Sequence, residues 1–128
     1  MATGLTLDTG ALIAYERGER NVAGLLRRAG ARGAPLTIPA PCVVEAWRGG
    51  PRSARIARLL AGANVEILGL RLARVAGVLL GRAGTDDPVD AVVVAGARVR
   101  GDAVLTSDPD DLGRLAEAAG GRVAILAL

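Results

Sequence analysis

Apolar runs of three to six residues alternate along this chain with longer stretches whose apolar positions recur at helical spacing. Leu5, Thr6 and Leu7 read as a strand that ends on Asp8. Residues 11–29 follow with Leu12, Ile13, Val22, Leu25 and Leu26 in helical register, broken near Gly18. A loop from Gly30 to Pro35 leads to a short strand at 36–38. Pro39 and Pro41 then bracket a turn into the helix CVVEAWR. Pro41 suits its first position, where a missing N–H costs nothing. Gly49-Gly50-Pro51 ends that helix and starts another, in which Ile56, Leu59 and Leu60 share one face. Residues 65–70 read as a strand and 70–84 as a helix. Residues 85–101 open on Asp-Pro and stay apolar to Ala97, which predicts a buried helix. A strand at 103–106, a helix from 107 and a closing strand within 122–128 complete the pattern.

Five strands separated by helical stretches predict an α/β fold. The expected architecture is one three-layer domain over residues 1–128, a mainly parallel five-stranded sheet flanked by helices. At 128 residues and 51% hydrophobic, the chain can build a real core. One Trp, one Tyr and no Phe leave that core to Leu, Val, Ile and Ala.

Composition removes several chemistries. His is absent, which excludes imidazole metal ligands and Ser-His or Cys-His catalysis. All 16 basic residues are Arg, so chemistry that needs Lys is excluded too. Cys42 is alone and cannot form an internal disulfide, which fits a reducing cytosol. No apolar run approaches the ~18 residues of a membrane span, and the first residues lack a signal-peptide pattern. A cytoplasmic protein without membrane contact is expected. The net charge of +3 permits nucleic-acid binding without arguing for it.

Of the 13 acids, four stand out by their surroundings. Asp8 ends an apolar strand, Glu45 is the lone charge in PCVVEAW, Asp90 leads into AVVVAGA, and Asp108 follows AVLT by one residue. Charged carboxylates are rarely buried unless paired or metal-bound. In a parallel sheet Asp8 and Asp108 fall at strand carboxyl ends, where such sheets place ligands. Glu45 and Asp90 would lie in first turns of helices at the same edge. Two like charges ~4 Å apart repel by about 4 kcal/mol at an effective dielectric near 20. A four-acid cluster must therefore take up protons or hold a cation, and oxygen ligands point to Mg²⁺ or Mn²⁺. Such a site hydrolyses phosphodiesters.

Each acid also has a plainer reading. Asp-Pro-x-Asp occurs at 87–90 and again at 108–111, and in both the first Asp is a good N-cap before Pro at N1. Asp8 can cap the helix after it, and Glu45 can pair with an Arg. LDTG is also the active-site signature of aspartic proteases, but those are all-β and no second such motif is found near the C-terminus.

With LTLDTGALIA at the start, IPAPCVVEAWRG in the middle, then VDAVVVAGARVRG and AVLTSDPDDL, the chain resembles the PIN domain. Within that family it is most similar to the VapC-type toxins of bacterial toxin–antitoxin pairs. The resemblance covers nearly the whole chain and implies a metal-dependent endoribonuclease using Mg²⁺ or Mn²⁺. It makes Asp8, Glu45, Asp90 and Asp108 the catalytic metal site, with Asp111 or Asp87 able to share or replace a contact. The hydroxyls of Thr9, Thr106 and Ser107 would orient carboxylates or water. It also implies an RNA substrate, a homodimer and a cognate VapB-type antitoxin.

Arg17, Arg48 and Arg98, with Arg20, Arg82 and Arg100, are candidates for RNA contacts by their nearness to the motifs. Trp47 is expected in the core or a dimer contact rather than stacked on a base. Cys42 reads as a small core residue. Two other functions are weighed. A phosphoacceptor receiver domain needs a Lys that this chain lacks. A non-catalytic PIN-like module that binds RNA or protein would have no use for the four acids.

Overall fold

A computed structural model describes residues 3–128. Its strands are β1 (Leu5–Leu7), β2 (Leu36–Pro39), β3 (Asn64–Glu66), β4 (Ala103–Thr106) and β5 (Ile125–Ala127). Its helices are α1 (Thr9–Glu16), α2 (Arg20–Ala31), α3 (Ala40–Ala46), α4 (Ala54–Ala61), α5 (Leu70–Ala83), α6 (Pro88–Arg100) and α7 (Pro109–Ala118). A short 3₁₀ turn, Pro51–Ser53, precedes α4.

The five strands form one sheet in the order β3-β2-β1-β4-β5, and every pairing is parallel. Parallel neighbours need crossovers, and right-handed crossovers fix which face each helix covers. The chain steps from β1 outward to β2 and β3, so α1 to α4 pack together on one face. It then returns across β1 to β4 and β5, which puts α5, α6 and α7 on the other. The three-layer α/β expectation holds.

The core fills both sides of the sheet. Leu7, Leu12, Ile38, Ile56, Leu105, Leu112 and Leu115 are fully buried. Each such side chain contributes about 1.5–3 kcal/mol of hydrophobic stabilisation. From Ala91 to Ala97 every residue of α6 is buried, so this helix is enclosed on all sides, as its apolar run predicts. No helix among the described residues is long and apolar enough to cross a membrane.

Several boundaries differ from expectation. The strand expected over 65–70 is confined to Asn64–Glu66, and α5 starts at Leu70. Glu66 pairs with Pro39, where β2 ends and α3 begins, so the ladder has no further partner. The helical pattern of 11–29 divides into α1 and α2 at Gly18, which adopts φ +76°. Pro41 takes the second position of α3 rather than the first, because Pro39 serves as the cap residue.

Candidate metal centre

β1 and β4 lie side by side at the centre of the sheet, and the chain leaves them toward opposite faces. The crevice that opens there is the usual ligand position of an open α/β sheet. Asp8 is the first residue beyond β1 and is only 4% exposed. Its Oδ1 accepts the Ala11 backbone N–H at 2.8 Å, which makes it the N-cap of α1. Its Oδ2 accepts the Thr106 hydroxyl at 2.5 Å. Burial pushes the Asp8 carboxyl above the usual range; these two hydrogen bonds oppose the shift, and the charges of Asp108 and Glu45 add to it.

The fully buried Thr106 hydroxyl also accepts the Asp108 backbone N–H at 2.8 Å. Asp108 occupies the N-cap position of α7, yet its side chain makes no capping bond. That carboxylate meets Asp90 and Asp111 instead. One oxygen of each of these three acids lies within 4.8 Å of the others. Asp111 is raised by a hydrogen bond and charge from Asp108, against the pull of Arg114 3.7 Å away.

Asp90 sits in the first turn of α6, where the sequence puts it. Its carboxyl is pushed up to about 7, first by burial and then by the charges of Asp87, Asp8, Asp108 and Asp111. Asp87 takes the plainer role: its Oδ1 caps α6 by accepting the N–H groups of Val89 and Asp90 at 3.0 and 3.1 Å. The two Asp-Pro-x-Asp motifs thus diverge. At 87–90 the first acid caps and the last faces the crevice; at 108–111 both first and last join the cluster.

Glu45 is in the last turn of the seven-residue α3, not in a first turn as expected, because the helix ends at Ala46. It is exposed and accepts the Thr9 hydroxyl at 2.5 Å. The Ser107 hydroxyl packs over Gly10 so closely that any side chain there would overlap it. Carboxylates gathered this tightly, with Asp90 pushed up by burial and then by its acidic neighbours, fit a hard divalent cation with oxygen ligands. Asp90, Asp108 and Asp111 could hold it; the charge of Asp8 is felt at Asp90, and that of Glu45 at Asp8, while neither joins the three-acid cluster.

The arginines, Trp47 and Cys42 meet expectation only in part. Arg17, Arg20, Arg82 and Arg98 are exposed, and Arg48 donates to the carbonyls of Trp47 and Val44. Arg100 is not a surface cation. It donates to Asp102 at 3.0 Å and to the Thr6 hydroxyl at 2.9 Å, and it pairs with Glu66. Thr6 in turn donates to Asp102 at 2.8 Å. The signal for this network was the lone acid in VEILGL and the Arg-Gly-Asp turn after α6. Trp47 is 40% exposed rather than in the core. Cys42 is fully buried, a small core residue as expected, and burial pushes its thiol up to about 12.

The fold matches several solved structures. One is VapBC2 from Rickettsia felis bound to a DNA fragment from its promoter, with TM-score 0.75 and 12% identity over 97% of this chain and 98% of that one. A second is DNA-bound VapBC from Salmonella typhimurium, at 0.71 and 18% over 98% of both chains. A third is a toxin-antitoxin complex from Klebsiella pneumoniae, at 0.69 and 20% over 85% of this chain and 89% of the other. At such identities the likeness is one of fold. No curated protein matches the sequence. The PIN domain model matches residues 5–118, nine-tenths of the chain, and the protein belongs to the PIN domain family.

Proposed function

We propose that this protein is a Mg²⁺- or Mn²⁺-dependent endoribonuclease, the toxin of a VapBC-like toxin–antitoxin pair acting in the cytoplasm. The observation that carries the reading is the meeting of Asp90, Asp108 and Asp111 within 4.8 Å at the β1–β4 crevice, beside the buried Asp8. Membership of the PIN family and the toxin–antitoxin complexes among its structural neighbours support it.

A divalent cation held there supplies Lewis acidity and an activated water for phosphodiester hydrolysis. The chain's own residues prepare the site. Asp90, Asp108 and Asp111 supply oxygen ligands, and Asp8 and Glu45 complete the acidic wall. Thr106 fixes Asp8 through Oδ2, and Thr9 fixes Glu45, so neither carboxylate must be ordered when substrate arrives. Ser107 lies at the rim beside Gly10. Arg17, Arg48 and Arg98 are exposed cations available to the phosphates of RNA. The same reading includes a homodimer and an antitoxin whose tail covers the acids, where a guanidinium would match the carboxylates.

The test is cleavage of total RNA with Mg²⁺ or Mn²⁺, wild type against Asp8→Asn, with the cut ends mapped. Cleavage by the wild type and none by the variant is expected. Equal cleavage by both, or none by either, overturns the nuclease reading, and the second result would favour a non-catalytic binding module.

A further inference from the structure

On the α1 face, away from the acids, a cavity of about 250 Å³ is lined by Tyr15 of α1, Gly18 of the α1–α2 turn, Ala23 of α2, and Arg55 and Arg58 of α4. Its floor is built for a guanidinium. Gly18 holds φ +76°, and the Arg55 guanidinium packs so tightly over it that a Cβ there would overlap Nη1. Arg55 Nη1 also reaches the Glu16 carbonyl oxygen at 3.5 Å, at the end of α1. Arg58 has no ion pair or side-chain hydrogen bond among the described residues.

The two arginines belong to a row. Arg48, Arg52, Arg55 and Arg58 follow one another at spacings of four, three and three residues, and all four are exposed. Arg48 follows Glu45 by three residues, Arg52 lies in the 3₁₀ turn, and Arg55 and Arg58 are on α4. Arg17 precedes Gly18 in the chain and Arg20 opens α2. Glu16 and Glu19 are the acids nearby, and Glu16 is already taken by Arg52 at 3.3 Å. The cavity therefore keeps a surplus of positive charge.

We propose that this cavity is a phosphate subsite for the RNA backbone, with Arg55 and Arg58 as its ligand-binding residues. The inference rests on the nuclease reading for its substrate class. The chemistry suits it: guanidinium forks match phosphate oxygens, and Arg55 is held in place before any ligand arrives. α1 spans about 12 Å from the crevice to this end. A single strand of a few nucleotides covers that length, so a phosphate rests here while another bond of the same strand lies at the acids. Cations set back from the centre also resolve an electrostatic problem, because bare carboxylates repel the strand they must act on.

The experiment measures binding of a fluorescent single-stranded RNA 12-mer to the full chain carrying Asp8→Asn, with Mg²⁺ present, as a function of salt. Adding Arg55→Gln and Arg58→Gln is expected to weaken binding about tenfold and to lower the slope of log K against log salt by about 0.7, the value for one phosphate of a single strand. Arg58→Gln alone, at an exposed side chain without a partner, should give about half that slope change and an unchanged circular dichroism spectrum. In the active chain the double variant should lose kcat/KM on the 12-mer and not on a dinucleotide too short to span α1. Unchanged affinity and slope overturn the subsite, as does equal loss on both substrate lengths. So does a variant that binds RNA normally but loses a polyglutamate peptide, which would mark the cavity as a protein contact. Wild-type cleavage with an unaffected double variant removes only the subsite. Arginine-dependent RNA binding without cleavage by the wild type removes only the nuclease reading.

Discussion

Thr106 and Asp8 face each other across the seam between the two central strands, with the Thr106 hydroxyl donating to Asp8 Oδ2 at 2.5 Å. The same hydroxyl oxygen receives the backbone N–H of Asp108. One buried threonine thus ties the acid after β1 to the turn that carries the acid after β4. Thr106→Val should cost about 1–3 kcal/mol, because Asp8 then stays buried with one hydrogen bond fewer. Urea unfolding of the metal-free protein measures it. Asp8→Asn, which keeps the Ala11 contact and removes a buried charge, should leave stability equal or higher. A Thr106→Val protein as stable as wild type would show that the bond contributes nothing.

Asp90 makes stability depend on pH. Its folded pKa of about 7 lies above the usual 3.8, so the folded state binds the proton more tightly. The sign follows: the contribution is fully present below about pH 4 and is lost as pH rises toward 7. For a half-buried carboxylate, solvent screening holds the effect to about 2 kcal/mol. Denaturant midpoints of metal-free protein should fall between pH 5 and 7, and Asp90→Asn should flatten that slope. An unchanged slope in the variant would assign the titration elsewhere.

Cation binding should reverse the penalty. Mn²⁺ at 100 times its Kd should stabilise the protein by about 2.7 kcal/mol. Asp90→Asn, Asp108→Asn and Asp111→Asn should each shrink the thermal shift. Asp87→Ala should leave the shift in place while costing about 1 kcal/mol, the usual loss for an N-cap. A shift abolished by Asp87→Ala and kept by Asp111→Asn would exchange their roles.

Arg100→Met should destabilise by about 3 kcal/mol, since Asp102 and Glu66 then lose their common cation in a largely dry setting. Thermal unfolding tests this. RNA binding should be retained by the refolded variant, because the Arg100 guanidinium is taken up by Glu66, Asp102 and Thr6.

Cys42 should resist thiol reagents in the native state and react only on unfolding, as its thiol is fully buried and pushed up to about 12. Cys42→Ala should keep full nuclease activity. Rapid native labelling with a maleimide would contradict the burial.

What the sequence revealed follows the range of the interactions involved. Asp8 and Asp90 were legible because each interrupts an apolar run, and burial of the run implies burial of the acid. Asp87 and Asp108 look alike by local pattern, and only the neighbouring strand decides that one caps and the other does not. Asp108 loses its capping role because Thr106, two residues back, takes its backbone N–H while its carboxylate turns to Asp90 and Asp111. The helical phase of Glu45 was misjudged because α3 is only seven residues long. Arg100 counts by local pattern as a candidate RNA contact, because its partners Glu66 and Thr6 lie 34 and 94 positions away. The strand order is not legible in the sequence, and the strand ends depend on where a neighbour runs out, as at Pro39 and Glu66.

The enclosure of α6 has a mechanical consequence. Asp90 stands at one end of this rod and Arg100 at the other, about 15 Å apart at 1.5 Å per residue. With seven consecutive buried residues between them, the helix can neither roll nor slide without displacing neighbours on every side. Gly96 lies against the Glu66 carboxylate, and a methyl group added there would make the ends of Glu66 and Arg100 shift. The rod that carries Asp90 into the crevice is thus moored at its far end by Arg100 on Glu66 and Asp102.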